Sequence, residues 1–247
     1  MDFKDKVVLV TGATTGIGRA TAKLFVEHGA TVAVNHLNQH ELFQELENEC
    51  ESLPGLLIEL NTDVAQKTSV NSMIVSLIKQ TGKLDVLINN AGISIVKPFL
   101  EISEEEWDAI INTDLKSVFN CCQAAIPYLQ EQKGVIINIA SELAYTGRAN
   151  FTAYTAAKGG VISLTRSLAQ EFAPTIRINA VAPGPTQTPL LDKENNTPGH
   201  EESLDDIPLA RYAEPEEIAE TICFLASDKA RYYCGDVLSP NGGTLMR

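Results

Sequence analysis

Short apolar runs alternate along the chain with longer segments in which apolar residues recur at helical spacing. The runs are rich in valine, isoleucine and leucine and end in turn-forming residues, which is typical of strands buried on both faces of a parallel sheet. In chain order they are VVLVTG, TVAVN, GLLIEL, LDVLINNAG, GVIINIAS, IRINAVAPG and GDVLSPNGG. The pattern predicts an α/β fold, with a doubly wound parallel sheet of about seven strands and helices on both faces.

A glycine-rich turn joins the first predicted strand to the first predicted helix. Residues 11–18 read TGATTGIG, and RATAKLFVEHGA follows as an amphipathic helix before the strand TVAVN. Gly12 permits a tight turn, Gly16 and Gly18 let the backbone approach a pyrophosphate, and the N-terminus of the helix attracts that anion. An ordinary glycine-rich connection is the alternative, but the strand–turn–helix–strand context favours dinucleotide binding and a Rossmann-like fold.

The remaining connections predict further helices and one long polar loop. We expect a helix over residues 103–132, with Ser103 as N-cap and a bend at Pro127, and another helix beginning at residues 214–215. Residues 189–210 are polar and contain proline, which predicts a mobile lid over a substrate, with a disordered surface loop as the alternative. The chain shows no repeat or linker, so residues 1–247 are predicted to form a single domain.

Several polar and small residues follow directly after predicted strands. They are Gly12 to Gly18, Asp63, Asn89 to Gly92, Ser141 and Pro183 with Gly184. Ligands of open parallel sheets bind beyond the carboxyl ends of the strands, so these residues are expected to share one cleft although they lie far apart in sequence. Their convergence predicts an active site.

Tyr154 and Lys158 are four residues apart in a segment with helical periodicity, which places both side chains on one helix face. A phenol has a pKa of about 10 and is a poor acid or base near neutral pH. A nearby ammonium favours the phenolate, so we expect Lys158 to lower the pKa of Tyr154 into the range of proton transfer. Ser141, at the end of GVIINIAS, adds a hydroxyl donor at the tip of a strand.

Composition argues against several other classes of function. The formal net charge of −13 opposes nucleic-acid binding, which requires a basic surface. No apolar run approaches the roughly 20 residues that span a bilayer, and the N-terminus lacks a signal-peptide pattern, so a cytoplasmic protein without a membrane partner is expected. The five cysteines and four histidines show no metal-ligand spacing, so we expect reduced thiols and predict no metal site.

Taken together, the motifs resemble those of the short-chain dehydrogenase/reductase family over essentially the whole chain. The resemblance rests on TGATTGIG, on NNAG at 89–92, on Ser141, on YTAAK at 154–158 and on PGPTQT at 183–188. It implies hydride transfer between NAD(P)(H) and a secondary alcohol or ketone, with Tyr154 as general acid/base and Lys158 holding the nicotinamide ribose. It also implies that Ser141 binds the substrate oxygen and that Asn112 anchors a proton-relay water, although a structural role in its helix is the alternative for Asn112.

The same resemblance implies a set of cofactor contacts. Asp63 and Val64 would flank the adenine, Asn90 would approach its ribose, and Thr186 and Thr188 would meet the nicotinamide carboxamide. Asp63 as the cap of the next helix is a structural alternative. The full set of implied contacts is Gly12, Thr14, Gly16, Ile17, Gly18, Asn35, His36, Asp63, Val64, Asn90, Ala91, Gly92, Tyr154, Lys158, Pro183, Gly184, Thr186 and Thr188.

The chain departs from the family pattern at the adenine ribose. The second predicted strand ends in Asn35, His36, Leu37 and Asn38, so it lacks the carboxylate that would repel a 2′-phosphate. Positions 15 and 37, where family members that use the phosphorylated cofactor often carry a basic residue nearby, are Thr15 and Leu37. We therefore expect NADP(H) or NAD(H) as cofactor, with a preference for NADP(H) and with Asn35 and His36 able to contact its phosphate.

The substrate is open between two classes. Overall similarity is nearest to the branch of 3-oxoacyl-thioester reductases, but Gln132 and Thr175 lie where carrier-protein reductases present basic residues. A sugar, polyol or small-alcohol dehydrogenase is therefore the alternative, with substrate contacts expected from residues 142–148 and 190–207. A nucleotide-sensing regulatory protein is the non-enzyme alternative. The expected assembly is a homotetramer or dimer formed through the long helices.

Overall fold

The computed structural model describes residues 1–197 and 203–246, and these contain the predicted parallel sheet. The strands are β1 Val7–Val10, β2 Thr31–His36, β3 Leu56–Asn61, β4 Val86–Asn89, β5 Val135–Ile139, β6 Arg177–Val181 and β7 Val237–Leu238. Their order across the sheet is β3-β2-β1-β4-β5-β6-β7, and every neighbouring pair is parallel. The predicted doubly wound α/β fold is confirmed.

The strand order reverses between β1 and β4, next to the glycine turn. Leu9 of β1 lies opposite Ala33 of β2 on one side and opposite Leu87 of β4 on the other. Because the chain grows outward from β1 in both directions, the loops after β1 and β4 separate and leave a crevice at the carboxyl ends of the strands. The fold thus places the glycine turn at the point where ligands of such sheets bind.

Helices cover both faces of the sheet. They are α1 Gly16–Glu27, α2 His40–Cys50, α3 Lys67–Thr81, α4 Glu104–Ile110, α5 Ser117–Gln132, α6 Leu143–Thr146, α7 Thr152–Phe172, α8 Pro189–Asn195 and α9 Pro215–Ala226. One core cluster joins α1 and α9 to the sheet through Phe25 and Ile222. A second cluster joins α3, α5 and α7 to the opposite face through Leu77, Leu129 and Val161. Within the described ranges, no helix is both long and apolar enough to cross a membrane.

The predicted helix over residues 103–132 is present, but its geometry is not uniform. Ser103 caps α4 through a capping box in which its hydroxyl accepts from the Glu106 N–H and the Glu106 carboxylate accepts from the Ser103 N–H. α5 continues past Pro127 to Gln132, and the irregular hydrogen bonding lies instead at Ile111–Lys116, which form a π-helical segment between α4 and α5. This segment changes which residues face the cleft.

Two other segments differ from the expectations. α2 was not predicted from the sequence; it is a largely polar helix that buries only Phe43, Leu46 and Cys50. The lid predicted at 189–210 is partly regular, since it contains α8 and a 3₁₀ turn at Leu204–Asp206, while its residues 198–202 lie outside the described residues. Leu191 and Ile207 are buried, so both ends of the lid are anchored in the protein.

Candidate active site

A cavity of about 430 Å³ lies at the carboxyl ends of the strands, where the crevice opens. The loops that line it follow β1, β2, β3, β4, β5 and β6, as the sequence predicted. Predicted site residues in the lining are Gly12, Gly16, Ile17, Asn35, His36, Asp63, Val64, Asn90, Ala91, Gly92, Ser141, Tyr154, Lys158, Pro183, Gly184, Thr186 and Thr188. The lining does not include Thr14, Gly18 or Asn112.

The glycine turn leaves no room for side chains at two positions. Gly12 has φ +61°, and a Cβ there would lie 2.8 Å from the Cα of Ala91. A Cβ on Gly18 would lie 2.2 Å from the Gly12 carbonyl oxygen and 2.4 Å from Nδ2 of Asn90. The turn is therefore packed tightly against the residues that follow β4. Gly12 and Gly16 line the cavity, and with the N-terminus of α1 behind it the turn fits a dinucleotide pyrophosphate.

Asn90 fastens this turn to the neighbouring strand. Its Nδ2 donates to the carbonyl oxygens of Thr11 (3.0 Å) and Gly12 (2.9 Å), and its backbone N–H donates to the Thr11 hydroxyl at 3.0 Å. The Ala91 N–H donates to the same hydroxyl at 3.0 Å. The Asn90 amide is thus committed to the turn, and its predicted approach to the adenine-side ribose stays a prediction.

Polar side chains at the adenine end of the cavity also form hydrogen bonds with other groups of the protein. Asn35 donates through Nδ2 to the carbonyl oxygens of Leu60 (3.2 Å) and Thr62 (2.9 Å). Asp63 accepts from the Ala65 N–H at 2.9 Å within the turn before α3, whose N-cap is Gln66, so Asp63 is not the helix cap considered as its alternative role. The Thr14 hydroxyl is buried against the side chain of Gln39. These contacts shape the adenine end but leave no unpaired amide of Asn35 for a phosphate.

His36 and His40 share one carboxylate oxygen of Glu59, at 2.9 and 2.7 Å, and the three side chains are the one potential metal-ligand group among the described residues. The Gln39 N–H donates to Nδ1 of His36 at 3.2 Å, so the ring proton of neutral His36 sits on Nε2 and points at Glu59. A metal would need the Nε2 lone pair instead, so hydrogen bonding explains this cluster better than metal binding. The buried His36 ring also offers no free donor to a 2′-phosphate.

Ser141, Tyr154 and Lys158 meet beside the end of β5. Tyr154 and the Ser141 hydroxyl are hydrogen-bonded, and the Ser141 oxygen also accepts from the Leu143 N–H at 3.2 Å. The Lys158 ammonium donates to the Ile139 carbonyl oxygen at 3.1 Å and lies 5.6 Å from the centroid of the Tyr154 ring. The structure therefore brings these three predicted residues together.

The pKa of Tyr154 moves in the direction opposite to the one expected. Burial raises it first, and the negative charges of Asp114, Glu194 and Glu142 raise it further, while the hydrogen bond with Ser141 acts against them. The expected lowering by Lys158 is therefore wrong for the protein chain by itself. The phenol keeps its proton at neutral pH.

Asp114, not Asn112, faces the cleft from the π-helical segment. Asn112 accepts a hydrogen bond from the Lys116 ammonium at 3.3 Å on the exposed side of the helix and does not line the cavity, so its catalytic role stays a prediction without support from this geometry. Asp114 is fully buried and lies 3.2 Å from the Lys158 ammonium. Regular helical periodicity could not identify it, because the wider π turn shifts the phase of the side chains.

The rest of the cavity wall is mixed in polarity. Glu142 is buried, and its carboxylate accepts a hydrogen bond from the Thr244 hydroxyl near the end of the described chain. The Thr188 hydroxyl caps α8 by accepting from the Leu191 N–H at 3.3 Å, and the Thr186 hydroxyl donates to the Gly184 carbonyl oxygen at 2.9 Å. Other lining residues on this side are Leu143, Arg148, Leu190 and Glu194. This end of the cavity suits a substrate with both apolar and polar groups.

Comparisons with known proteins agree with this geometry. Residues 12–244 match the family described as enoyl-(acyl carrier protein) reductase. The chain is 40% identical over its full length to the whole 3-oxoacyl-[acyl-carrier-protein] reductase FabG of Thermotoga maritima. It is 41% identical to the corresponding reductase of Staphylococcus aureus strain Mu50, with 98% of each chain covered.

Two solved structures have the same fold as this chain. A short-chain dehydrogenase/reductase of the glucose/ribitol dehydrogenase type from Brucella melitensis is 33% identical, with a TM-score of 0.92 and full coverage of both chains. The ligand-free aldohexose dehydrogenase of Thermoplasma acidophilum is also 33% identical, with a TM-score of 0.87, 99% of this chain covered and 96% of that one. The comparisons thus include both substrate classes left open by the sequence.

Proposed function

We propose, because this chain belongs to the short-chain dehydrogenase/reductase family of NAD(P)-dependent oxidoreductases, that it reduces the 3-oxo group of an acyl thioester. The observation that carries the proposal is the meeting of Ser141, Tyr154 and Lys158 in the cavity that the glycine turn also borders. Full-length identity of about 40% to 3-oxoacyl reductases supports the substrate class.

The chain's own residues would act on the carbonyl oxygen. A bound nicotinamide dinucleotide supplies the hydride that is added to the carbonyl carbon. Ser141 donates a hydrogen bond to the carbonyl oxygen, and Tyr154 transfers its phenolic proton to that oxygen as the C=O π bond breaks, giving a secondary alcohol. Lys158 provides positive charge beside the resulting phenolate, which takes a proton from solvent to complete the cycle. A raised pKa suits Tyr154 to this proton-donating direction, because the phenol is protonated when the substrate arrives.

Cofactor choice follows from what borders the adenine ribose. Among the described residues, the lining near Thr15, His36 and Leu37 contains neither a carboxylate to repel a 2′-phosphate nor an arginine or lysine to attract one. We propose that NADP(H) is preferred but that NAD(H) is also used. The two values of kcat/KM should differ by no more than about tenfold, equivalent to ~1.4 kcal/mol.

The carrier of the acyl group is proposed to be small. A net charge of −13 repels an acidic carrier protein, and Gln132 and Thr175 supply no positive charge on the surface considered for docking. The enzyme should therefore use a coenzyme A thioester at least as well as a carrier-bound one.

A dehydrogenase acting on sugars is the second candidate function. Glu142, Glu194 and Arg148 in the cavity wall could bind several hydroxyl groups, and both solved neighbours are named as sugar or polyol dehydrogenases. A regulator that only senses nucleotides is disfavoured, because binding alone does not require the tyrosine beside the serine.

The test is turnover with both cofactors over matched substrates. Acetoacetyl-coenzyme A should be reduced with a kcat/KM at least about 100-fold above the value for aldose oxidation, a difference of ~2.7 kcal/mol in transition-state binding. Efficient oxidation of an aldose without thioester reduction would establish the second candidate instead. Bound cofactor without turnover of either class would favour the regulatory alternative.

Assembly as a homotetramer or dimer is part of the proposal, as is the cytoplasmic location. Phe119 on α5 is 41% exposed, and Leu100 in the preceding 3₁₀ segment is 93% exposed, so apolar surface is present on and near the long helices. Light scattering coupled to size exclusion should give two or four times the mass of 26.8 kDa for one chain. A single-chain mass at micromolar concentration would contradict it.

A further inference from the structure

The carboxylate of Asp114 lies in the wall of the cavity with no exposed surface. Its Oδ1 accepts a hydrogen bond from the Ile93 N–H at 2.8 Å. Its Oδ2 lies 3.2 Å from the Lys158 ammonium, and within the described residues this oxygen makes no hydrogen bond. Charge attraction to one lysine therefore acts against the cost of burying this second oxygen.

The lysine in turn is fixed from two sides. An ammonium has three N–H donors, and that of Lys158 gives one to the Ile139 carbonyl oxygen at 3.1 Å while Asp114 attracts it from another direction. The backbone closes over the pair at Gly92, where a Cβ would lie 2.9 Å from Oδ2 of Asp114 and 3.3 Å from the Lys158 nitrogen. The ammonium is thus held in one place in the cavity wall.

Resting on the proposed function, we propose that Asp114 is a positioning residue that tethers Lys158 and offsets its charge, and so sets the pH above which Tyr154 changes from proton donor to proton acceptor. The carboxylates that act on Tyr154 are Asp114 from the π-helical segment, Glu142 beside α6 and Glu194 from α8. The Lys158 ammonium of α7 lies 5.6 Å from the centroid of the Tyr154 ring. Among the three carboxylates, Asp114 has the largest effect on Tyr154.

The ionisation of Asp114 is compatible with this role. Burial raises the pKa of Asp114, while the Lys158 charge and the Ile93 hydrogen bond act in the opposite direction. The Lys158 ammonium 3.2 Å away favours the carboxylate form of Asp114. Its negative charge is then present to oppose the phenolate of Tyr154.

The direct test is Asp114→Asn. The amide oxygen keeps an acceptor for the Ile93 N–H and nearly the same shape, but the negative charge is removed. Lys158 would then stabilise the phenolate without an opposing charge, so Tyr154 should titrate at a pH lower by about one unit or more, within the range known for one nearby charge. The acid limb of alcohol oxidation and the alkaline limb of carbonyl reduction should move down together by the same amount.

The measurement that does not depend on turnover is carbon nuclear magnetic resonance of the full chain labelled at the tyrosine ζ carbon. Tyr154→Phe identifies the signal, and its titration is compared between the unaltered protein and Asp114→Asn. The matched control is Asp85→Asn, which removes another buried carboxylate, paired with Lys6 at 3.0 Å and Lys83 at 3.1 Å at the opposite end of the strands. If Asp114→Asn does not fold, Asp114→Ser keeps a hydroxyl acceptor for Ile93 and replaces it in the same comparison.

A downward shift in the Asp114 variant but not in the Asp85 variant supports the proposal. An unchanged Tyr154 titration, or an equal shift in both variants, overturns it even if the enzyme reduces thioesters normally. Absence of turnover with every substrate would refute the proposed function instead, while the resonance titration would still decide the role of Asp114.

Discussion

Replacement of Gly18 by alanine should damage the dinucleotide site more than any other single-methyl change in the glycine turn. Gly18 lies in the first turn of α1, where its backbone is packed against the Gly12 carbonyl group and the Asn90 amide. The added Cβ would be 2.2 Å from the Gly12 oxygen and 2.4 Å from Nδ2 of Asn90. The Gly12 oxygen belongs to the backbone, and the Asn90 amide, although it ends a side chain, is held by hydrogen bonds to the carbonyl oxygens of Thr11 (3.0 Å) and Gly12 (2.9 Å).

The expected loss of stability follows from the extra separation that the added Cβ needs from its two neighbours. An ordinary contact needs about 1 Å more separation, and overpacking of this kind costs about 1–3 kcal/mol. The displacement would also weaken the Asn90 hydrogen bonds to Thr11 and Gly12, each worth about 0.5–1.5 kcal/mol. We expect a loss of about 2–5 kcal/mol in the free energy of unfolding. A hydrogen bond to a charged group contributes about 1.5–3 kcal/mol, so loss of one backbone contact to the pyrophosphate should lower cofactor affinity about 10- to 150-fold.

Urea unfolding followed by circular dichroism measures the first effect, and isothermal titration calorimetry with NADPH measures the second. Gly159→Ala is the matched control, because a Cβ at this position in α7 meets nothing within 4 Å in the described part of the chain. Removing a helical glycine should stabilise the protein by about 0.5–1 kcal/mol. If Gly18→Ala bound NADPH as tightly as the unaltered protein, the assignment of this turn to the pyrophosphate would be refuted.

Two further substitutions test other parts of the account. Asn112→Ala should change kcat/KM by less than about twofold, ~0.5 kcal/mol, because the hydrogen bond described for its side chain is the one to Lys116 at the surface. A large loss of kcat/KM in steady-state kinetics would instead support a catalytic role for Asn112. Arg177→Met should lower the free energy of unfolding by about 2–3 kcal/mol without changing kcat per folded molecule. The guanidinium donates to carbonyl oxygens at and just after the end of α9, those of Leu225, Ala226, Ser227 and Ala230. Equal urea midpoints for the unaltered protein and Arg177→Met would contradict this prediction.

The sheet and most of the cleft could be predicted from the sequence because strong local signals coincide with the global arrangement. Buried strands of a parallel sheet require continuous apolar runs, and the carboxyl ends of those strands must meet at one edge. Gly12, Ser141 and Pro183 each follow such a run, and all three line the cavity. The joint action of Ser141 and Tyr154 on one substrate oxygen was instead implied by the resemblance to the family.

What could not be predicted depends on geometry that periodicity does not encode. In the π-helical segment the side chain of Asp114, and not that of Asn112, faces the cleft. The spacing of a regular helix does not indicate this change. The direction of the Tyr154 pKa depends on burial and on carboxylates from three different segments, none of which is adjacent in sequence. α2 was not predicted because most of its residues are polar and exposed, and only three apolar residues in its sequence pack on the core.

The central claim is that Tyr154 transfers the proton in an NAD(P)-dependent reduction. The most direct measurement is the rate of NADPH oxidation with acetoacetyl-coenzyme A for Tyr154→Phe, with Tyr128→Phe as the control. Tyr128 lies on α5, packs against the core and does not line the cavity. The account predicts that kcat falls by about 100- to 10,000-fold in the first variant, the usual contribution of a positioned acid, with the Kd for NADPH unchanged, and that Tyr128→Phe keeps its activity. Full activity of Tyr154→Phe would contradict the account.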